Sequence, residues 1–101
     1  MEIHVTDTQF SFTVRAPELG RQGTFTATVT VEVTPQTARA ALHYIRSLQL
    51  KSDFMNGWVK DNAPTYGIEI RGGPRPVFET AGDRSTPVVA YEQDFRLTRA
   101  V

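Results

Sequence analysis

Three basic side chains follow one another at helical spacing in the middle of the chain: Arg39, His43 and Arg46. Residues at i, i+4 and i+7 lie along one side of an α-helix, so together these side chains could bind phosphates or the carboxylates of an acidic partner. Lys51 would extend the same basic side past the end of the helix. A solvated helix face has a similar composition and is the favoured interpretation.

A second candidate for anion binding is the segment Arg71-Gly72-Gly73-Pro74-Arg75. Successive glycine amides can form a concave nest, and the two arginines would flank it. The segment lacks the Gly-Lys-Ser/Thr sequence of a phosphate-binding P-loop and the spacing of a dinucleotide-binding fingerprint. A tight turn between two strands explains the same residues and is the favoured interpretation.

Residues suited to catalysis are few and isolated. Only His4 and His43 are of a type that titrates near neutral pH. Ser47 follows His43 by four residues, but this pair has neither a nucleophile elbow nor an identifiable third member. The other acid–base candidates are two carboxylate pairs of a kind that is usually solvated: Glu92 with Asp94, and Asp53 with Asp61. We therefore predict that the protein is not an enzyme and has no catalytic residues.

Metal and cofactor sites are also predicted to be absent. The chain has no Cys, which removes thiolate ligands, disulfides and thiol nucleophiles. His4 and His43 do not form an HxxxH motif, and no loop is rich in carboxylates. Trp58 is instead a candidate anchor for a protein partner, because aromatic side chains concentrate at the centres of interfaces. A core position suits the same residue equally well.

Composition limits the classes of partner. The 101 residues carry eleven basic and eleven acidic side chains, so the net charge is zero and no global field attracts nucleic acid or anionic lipid. The pI is about 6.7, whereas a nucleic-acid-binding domain normally has a pI above about 9. The chain shows no leader-like N-terminus, and its longest apolar run, Val88 to Tyr91, cannot span a membrane. We expect a cytoplasmic protein that makes no membrane contact.

The hydrophobic pattern predicts the elements that position these residues. From Thr24 to Thr34, apolar residues alternate with Thr and Glu, which is typical of a half-buried strand. Residues 10–15 alternate in the same way, and the Pro- and Gly-containing segment 16–23 predicts an antiparallel hairpin between the two strands. Residues 3–5 have the opposite parity and predict a separate short strand.

At Thr34 the period changes to that of a helix, with Thr34 as N-cap and Pro35 at the first helical position. This helix is predicted to run to about Leu50. Its apolar stripe, which should lie on the sheet, comprises Ala38, Ala41, Leu42, Ile45 and Leu48.

Residues 52–61 are ambiguous. Asn56-Gly57 is a hairpin signal, whereas the spacing of the apolar residues from Phe54 to Val59 narrowly favours a short helix. Three further strands are predicted at 66–71, 77–80 and 88–98, separated by turn clusters. The order ββαβββ predicts a single α+β domain over residues 1–101. Its antiparallel sheet would have about four to five strands, with one main helix on one face and a possible second short helix.

A well-patterned fold without recognisable chemistry predicts a small protein-binding domain, such as an inhibitor, adaptor or assembly subunit encoded by a phage or mobile element. Its predicted partner surface comprises Arg39, His43, Arg46, Trp58, Arg71 and Arg75. One alternative is a nucleic-acid-binding protein that uses an Arg-rich surface. Another is a small-ligand-binding protein or enzyme with a pocket between helix and sheet. A homodimer is compatible with each of these, because a second copy could cover an edge strand or an apolar patch.

Overall fold

A computed structural model of the protein describes residues 10–17 and 23–100. These residues form four strands: β1 Phe12–Arg15, β2 Thr24–Glu32, β3 Tyr66–Phe78 and β4 Val88–Arg99. The strands make one antiparallel sheet in the order β1-β2-β4-β3. Two helices connect β2 to β3: α1, Ala38–Arg46, and α2, which comprises Gln49–Phe54, a π-helical segment Met55–Val59 and a last turn Lys60–Asn62. The predicted α+β class is confirmed.

The alternating strand and its hairpin partner are where the sequence predicts them. Phe25, Ala27, Val29 and Val31 of β2 are buried, as expected for the inward face of a half-buried strand. β1 pairs antiparallel with β2, with Val14 opposite Val29. The predicted strand at residues 3–5 lies outside the described residues.

The core lies between the sheet and the two helices. Phe54 of α2 is completely buried, with its ring centroid 4.9 Å from that of Phe95 on β4 and 6.5 Å from that of Phe12 on β1. Its neighbours in the core include Leu50 and Leu97, both of which are fully buried. The helices therefore cover one face of the sheet.

Helix α1 begins three residues later than predicted. The prediction placed Thr34 at the N-cap, but residues 35–37 form a turn and the helix starts at Ala38. The hydroxyl of Thr37 accepts a hydrogen bond from the Thr34 N–H at 2.9 Å, and the Thr37 N–H donates to the Thr34 carbonyl at 3.0 Å. These two bonds close the turn, so Pro35 precedes the helix rather than beginning it.

The predicted end of the first helix, near Leu50, is also wrong. Helix α1 ends at Arg46, and Leu48 adopts a left-handed conformation with φ 71° before α2 begins. The change of direction lets Leu50 and Phe54 enter the core, where each contributes about 1.5–3 kcal/mol. This gain exceeds the roughly 1–2 kcal/mol that the left-handed conformation costs a residue with a Cβ atom. Leu48, predicted to face the sheet, is 51% exposed instead.

Residues 52–61 are helical, which confirms the favoured interpretation over a hairpin. The π-helical turn has i→i+5 hydrogen bonding and therefore brings residues five apart towards the same side. Phe54 and Val59, which have this separation, are both buried. The helix ends at Asn62, just before Ala63-Pro64, as predicted.

The two strands predicted at 66–71 and 77–80 are one strand, β3, and the turn predicted between them is wrong. A register shift lies between Arg71 and Arg75, so the glycines and Pro74 form a bulge within the strand. Two prolines are tolerated there because β3 is an edge strand of the described sheet, where a ladder N–H is not required. Gly72, with φ 69°, supplies the left-handed residue that the bulge uses.

Candidate functional site

The basic side chains of α1 form an exposed row along the helix, which we call the α1 flank: Arg39, His43 and Arg46. All three residues are exposed. The first and last lie about 10 Å apart along the axis, at 1.5 Å per residue. None of the three side chains makes a hydrogen bond or ion pair with another residue in the ranges 10–17 and 23–100. Their donors therefore face solvent and are open to a ligand.

A groove of about 670 Å³ runs beside the α1 flank. Arg39 and His43 line it together with Phe10 and Tyr44, whose ring centroids are 5.2 Å apart. The groove thus combines an aromatic surface with the cationic guanidinium of Arg39 and the imidazole of His43. Such a combination suits a ligand segment that carries both carboxylates and apolar groups.

Tyr44 was missed by the sequence analysis, although it lies next to Ile45 on the apolar side of α1. The residue is buried, and its hydroxyl donates a hydrogen bond to Asp53 of α2. Gln49 also donates to the Asp53 carboxylate, at 3.4 Å. These bonds tie α1 to α2 and hold the tyrosine ring in place in the groove.

Arg71 and Arg75 lie on the opposite face of the sheet from α1. Arg75 donates two hydrogen bonds to the Asp94 carboxylate, at 2.8 and 3.1 Å, and lies 3.4 Å from Glu92. Arg71 is the cross-strand partner of Asp94 and shares this polar face. The structure therefore does not bring these two arginines together with the α1 flank, and the charge of Arg75 is balanced within the chain.

The Asp94 carboxylate is the centre of a polar network on the open face of the sheet. Hydrogen bonding from the Arg75 guanidinium is the main cause that holds the pKa of Asp94 below its ordinary value, and a bond from the Thr28 hydroxyl at 2.8 Å acts in the same direction. Partial burial opposes both effects. The carboxylate is therefore charged throughout the neutral range.

This network predicts a pH-dependent contribution to stability. Because the folded-state pKa of Asp94 is lowered, its contribution is present above the ordinary value near 4 and is lost as the pH falls through the folded-state value. We expect Asp94→Asn to lower the free energy of unfolding by about 0.5–1 kcal/mol at pH 7, with a smaller difference from wild type below about pH 4. Urea denaturation at several pH values measures this.

The matched control is Asp61→Asn, because Asp61 is exposed and has no hydrogen bond to another described residue. This control should leave stability unchanged at both pH values. A constant difference between Asp94→Asn and wild type from pH 7 down to pH 3 would show that the carboxylate's charge contributes nothing.

Trp58 lies at the edge of the core rather than beside the α1 flank. Its ring stacks on Phe54 with centroids 5.6 Å apart and an interplanar angle of 17°. The residue is half-buried and packs against the buried cluster. This position gives the side chain a structural role and leaves part of its surface in contact with solvent.

Four of the side chains considered for catalysis have other partners: Ser47, Asp53, Glu92 and Asp94. The Ser47 hydroxyl donates to the Tyr44 carbonyl at 3.2 Å. Glu92 and Asp94 both contact Arg75, and Asp53 accepts bonds from Tyr44 and Gln49. His4 lies outside the described residues. In the part of the chain that the structure covers, no three His, Asp or Glu side chains are grouped so that they could hold a metal ion.

A second cavity, of about 320 Å³, lies where the end of α1 meets the β3 bulge. Its lining includes Arg46 and Leu48 from the helical layer, and Ile70, Pro74 and Gln93 from the sheet. Leu48 and Ile70 are 51% and 37% exposed, which is high for large apolar side chains. The cavity joins an apolar surface to one end of the α1 flank.

Gln93 also lines this cavity, and its place in the sequence carries a signal that the prediction of the site did not use. It interrupts the apolar side of β4 between Tyr91 and Phe95, and a lone polar residue at such a position is informative. The side chain is only 3% exposed. Leu48, in contrast, has no local signal, because its conformation depends on how the two helices pack.

Neither a membrane-spanning helix nor a similar protein adds to the description of this site. Among residues 10–17 and 23–100, no helix has both the length and the apolar character needed to cross a lipid bilayer. Comparison of the chain with protein-family models, with curated proteins and with solved structures found no match.

Proposed function

We propose that the protein is a non-enzymatic binding domain that docks an acidic segment of a protein partner along the α1 flank. Two features together carry this proposal: three exposed basic side chains that have no hydrogen bond or ion pair with another described residue, and an adjacent groove with an aromatic surface. Carboxylates would bind Arg39 and Arg46, and apolar side chains of the same segment would enter the groove. An inhibitor, adaptor or assembly subunit acts through contacts of this kind.

The distribution of charge supports a local acidic ligand over a long polyanion. A nucleic-acid surface normally requires a basic stripe that follows several phosphates. The four arginines that could form one are divided between the two faces of the sheet, with Arg39 and Arg46 on the helical side and Arg71 and Arg75 on the other. The net charge of zero adds no general attraction.

The hydrogen bonds of the polar side chains support a non-enzymatic role. His43 has no hydrogen bond with the neighbouring Ser47, whose hydroxyl is bound to a backbone carbonyl. Of the carboxylates considered for acid–base catalysis, Glu92 and Asp94 contact Arg75. Asp53 accepts a hydrogen bond from Tyr44. A substrate panel should therefore show no turnover that is lost in His43→Ala.

Affinity capture tests the proposal. The tagged protein is purified from cells that make it naturally, and the captured material is analysed by mass spectrometry and by absorbance at nucleic-acid wavelengths. We expect a protein with an Asp- or Glu-rich segment, whose capture weakens as salt is raised. Capture of nucleic acid, or of a partner whose binding does not depend on salt, would contradict the proposal.

A further inference from the structure

The amide side chain of Gln93 has a donor that is fully used and an acceptor that is not. The two N–H groups of its Nε2 are shared among the carbonyl oxygens of Arg71, Gly72 and Asp94, which lie 3.0–3.2 Å from the nitrogen. All three contacts are carbonyl oxygens, so the orientation of the amide is determined by its neighbours. In the ranges 10–17 and 23–100, no residue donates a hydrogen bond to the Gln93 Oε1 atom.

An unpaired acceptor on a buried side chain is unusual. More than about 90% of buried polar groups in native proteins have a hydrogen-bond partner, and leaving one without a partner costs about 1–3 kcal/mol. Gln93 is 3% exposed and is one of the residues that line the 320 Å³ cavity. The unpaired acceptor thus belongs to a residue of the cavity wall, and an N–H or O–H donor that paired with it would remove this cost.

The remaining walls of the cavity define the rest of the ligand. Ile45, Leu48, Ile70 and Pro74 provide apolar contacts, and Arg46 lies at the same cavity. The volume is at the lower end of the range of about 300–1,000 Å³ that small-molecule sites occupy. It suits one ring or one large side chain rather than an extended ligand.

We infer that this cavity is an anchor site for a single aromatic side chain that carries a hydrogen-bond donor, such as Trp or Tyr, on the acidic protein partner. Such a side chain fills an apolar pocket and presents one polar group, which is why Trp and Tyr dominate interface hot spots. Arg46 belongs both to the α1 flank and to this cavity, so carboxylates beside the aromatic residue would meet a cation. The choice of a protein side chain as the occupant rests on the proposed function.

The test uses indole and 1-methylindole as probes of the folded, ¹⁵N-labelled protein. The two molecules have nearly the same shape, but only indole has an N–H donor. We expect indole to shift the backbone amide signals of Gly72, Gly73 and Gln93, and to bind about three- to tenfold more tightly than 1-methylindole, which corresponds to one net hydrogen bond. Equal affinities for wild type, or no shift of these signals at about 10 mM indole, would overturn the inference.

Gln93→Met is the matching variant, since it keeps the length of the side chain and removes the acceptor. It should bind the two probes equally. Because this variant also removes the Nε2 bonds to the bulge, the comparison of the two probes on the wild-type protein is the decisive one. The probe experiment requires no protein partner. A negative result would contradict the anchor site without testing the α1 flank. A partner that binds away from the flank would contradict the proposed function without changing the result for the probes.

Discussion

Replacing Phe54 with alanine should lower the free energy of unfolding by about 3–5 kcal/mol, the range for removing a large aromatic side chain from a core. Phe54 is fully buried, stacks on Trp58 within α2, and joins this helix to the sheet through its contacts with Phe95 and Phe12. Truncation leaves a cavity that stiff strands cannot close. Urea denaturation followed by circular dichroism measures the loss.

The adjacent residue offers the control for this experiment. Met55 follows Phe54 on the same helix but is 42% exposed. Met55→Ala should therefore lower the free energy of unfolding by less than about 1 kcal/mol. Both changes shorten a side chain of α2 at neighbouring positions. If the two variants lose the same stability, Phe54 does not occupy the buried position between α2 and the sheet.

Charge reversal on the α1 flank should produce the largest effect on partner binding. In the double variant Arg39→Glu/Arg46→Glu, two attractive contacts with carboxylates become repulsive, and each reversal contributes about 1–2 kcal/mol. The affinity for the captured partner should therefore fall by roughly 30- to 1,000-fold, which corresponds to about 2–4 kcal/mol in total. Titration calorimetry at fixed salt concentration measures it, and the free energy of unfolding should change little because both side chains are exposed.

The double variant Lys60→Glu/Arg84→Glu is the matched control. It changes the net charge by the same amount at two exposed positions outside the α1 flank. Its affinity for the partner should stay within about threefold of wild type, since distant surface charges are screened over about 10 Å. Equal losses in the two double variants would mean that total charge, and not the α1 flank, determines binding.

Elements whose residues carry their own pattern could be predicted from the sequence. The alternation from Thr24 to Thr34 specifies β2 because each side chain of a half-buried strand reports which face it occupies. The same holds for the hairpin with β1 and for the strand that begins at Val88. The prediction of a helix over residues 52–61 is confirmed. The spacing of its apolar residues indicates one buried side, on which Phe54 and Val59 lie.

Features determined by distant contacts could not be predicted. The break at Leu48 depends on the burial of Leu50 and Phe54, and no residue near Leu48 signals it. The Gly72–Pro74 segment has the composition of a turn, yet it continues as a strand because the Gln93 amide on β4 binds the carbonyls of the bulge. Turn chemistry and bulge chemistry use the same residues, so only the tertiary partner distinguishes them.

The candidate site also has features that the sequence predicts and features that depend on tertiary contacts. Arg39, His43 and Arg46 could be placed on one side of a helix by counting residues, and they stay a predicted binding surface. Their separation from Arg71 and Arg75 could not be foreseen, since it depends on the face of the sheet that each strand residue occupies. The position of Gln93 on the apolar side of β4 is visible in the sequence, but its hydrogen bonds to the carbonyls of Arg71 and Gly72 depend on the pairing of β3 with β4.

The most direct test of the proposed function is a map of the bound surface in solution. The ¹⁵N-labelled protein is titrated with the captured partner, and the backbone amide signals that shift are located on the structure. We predict shifts of the signals from Gln36 to Leu48, a range that includes α1, together with those of Gly72 and Gly73 at the bulge. Shifts confined to the open face of the sheet, around Thr28, Asp94 and Arg75, with the α1 flank unchanged, would contradict the account.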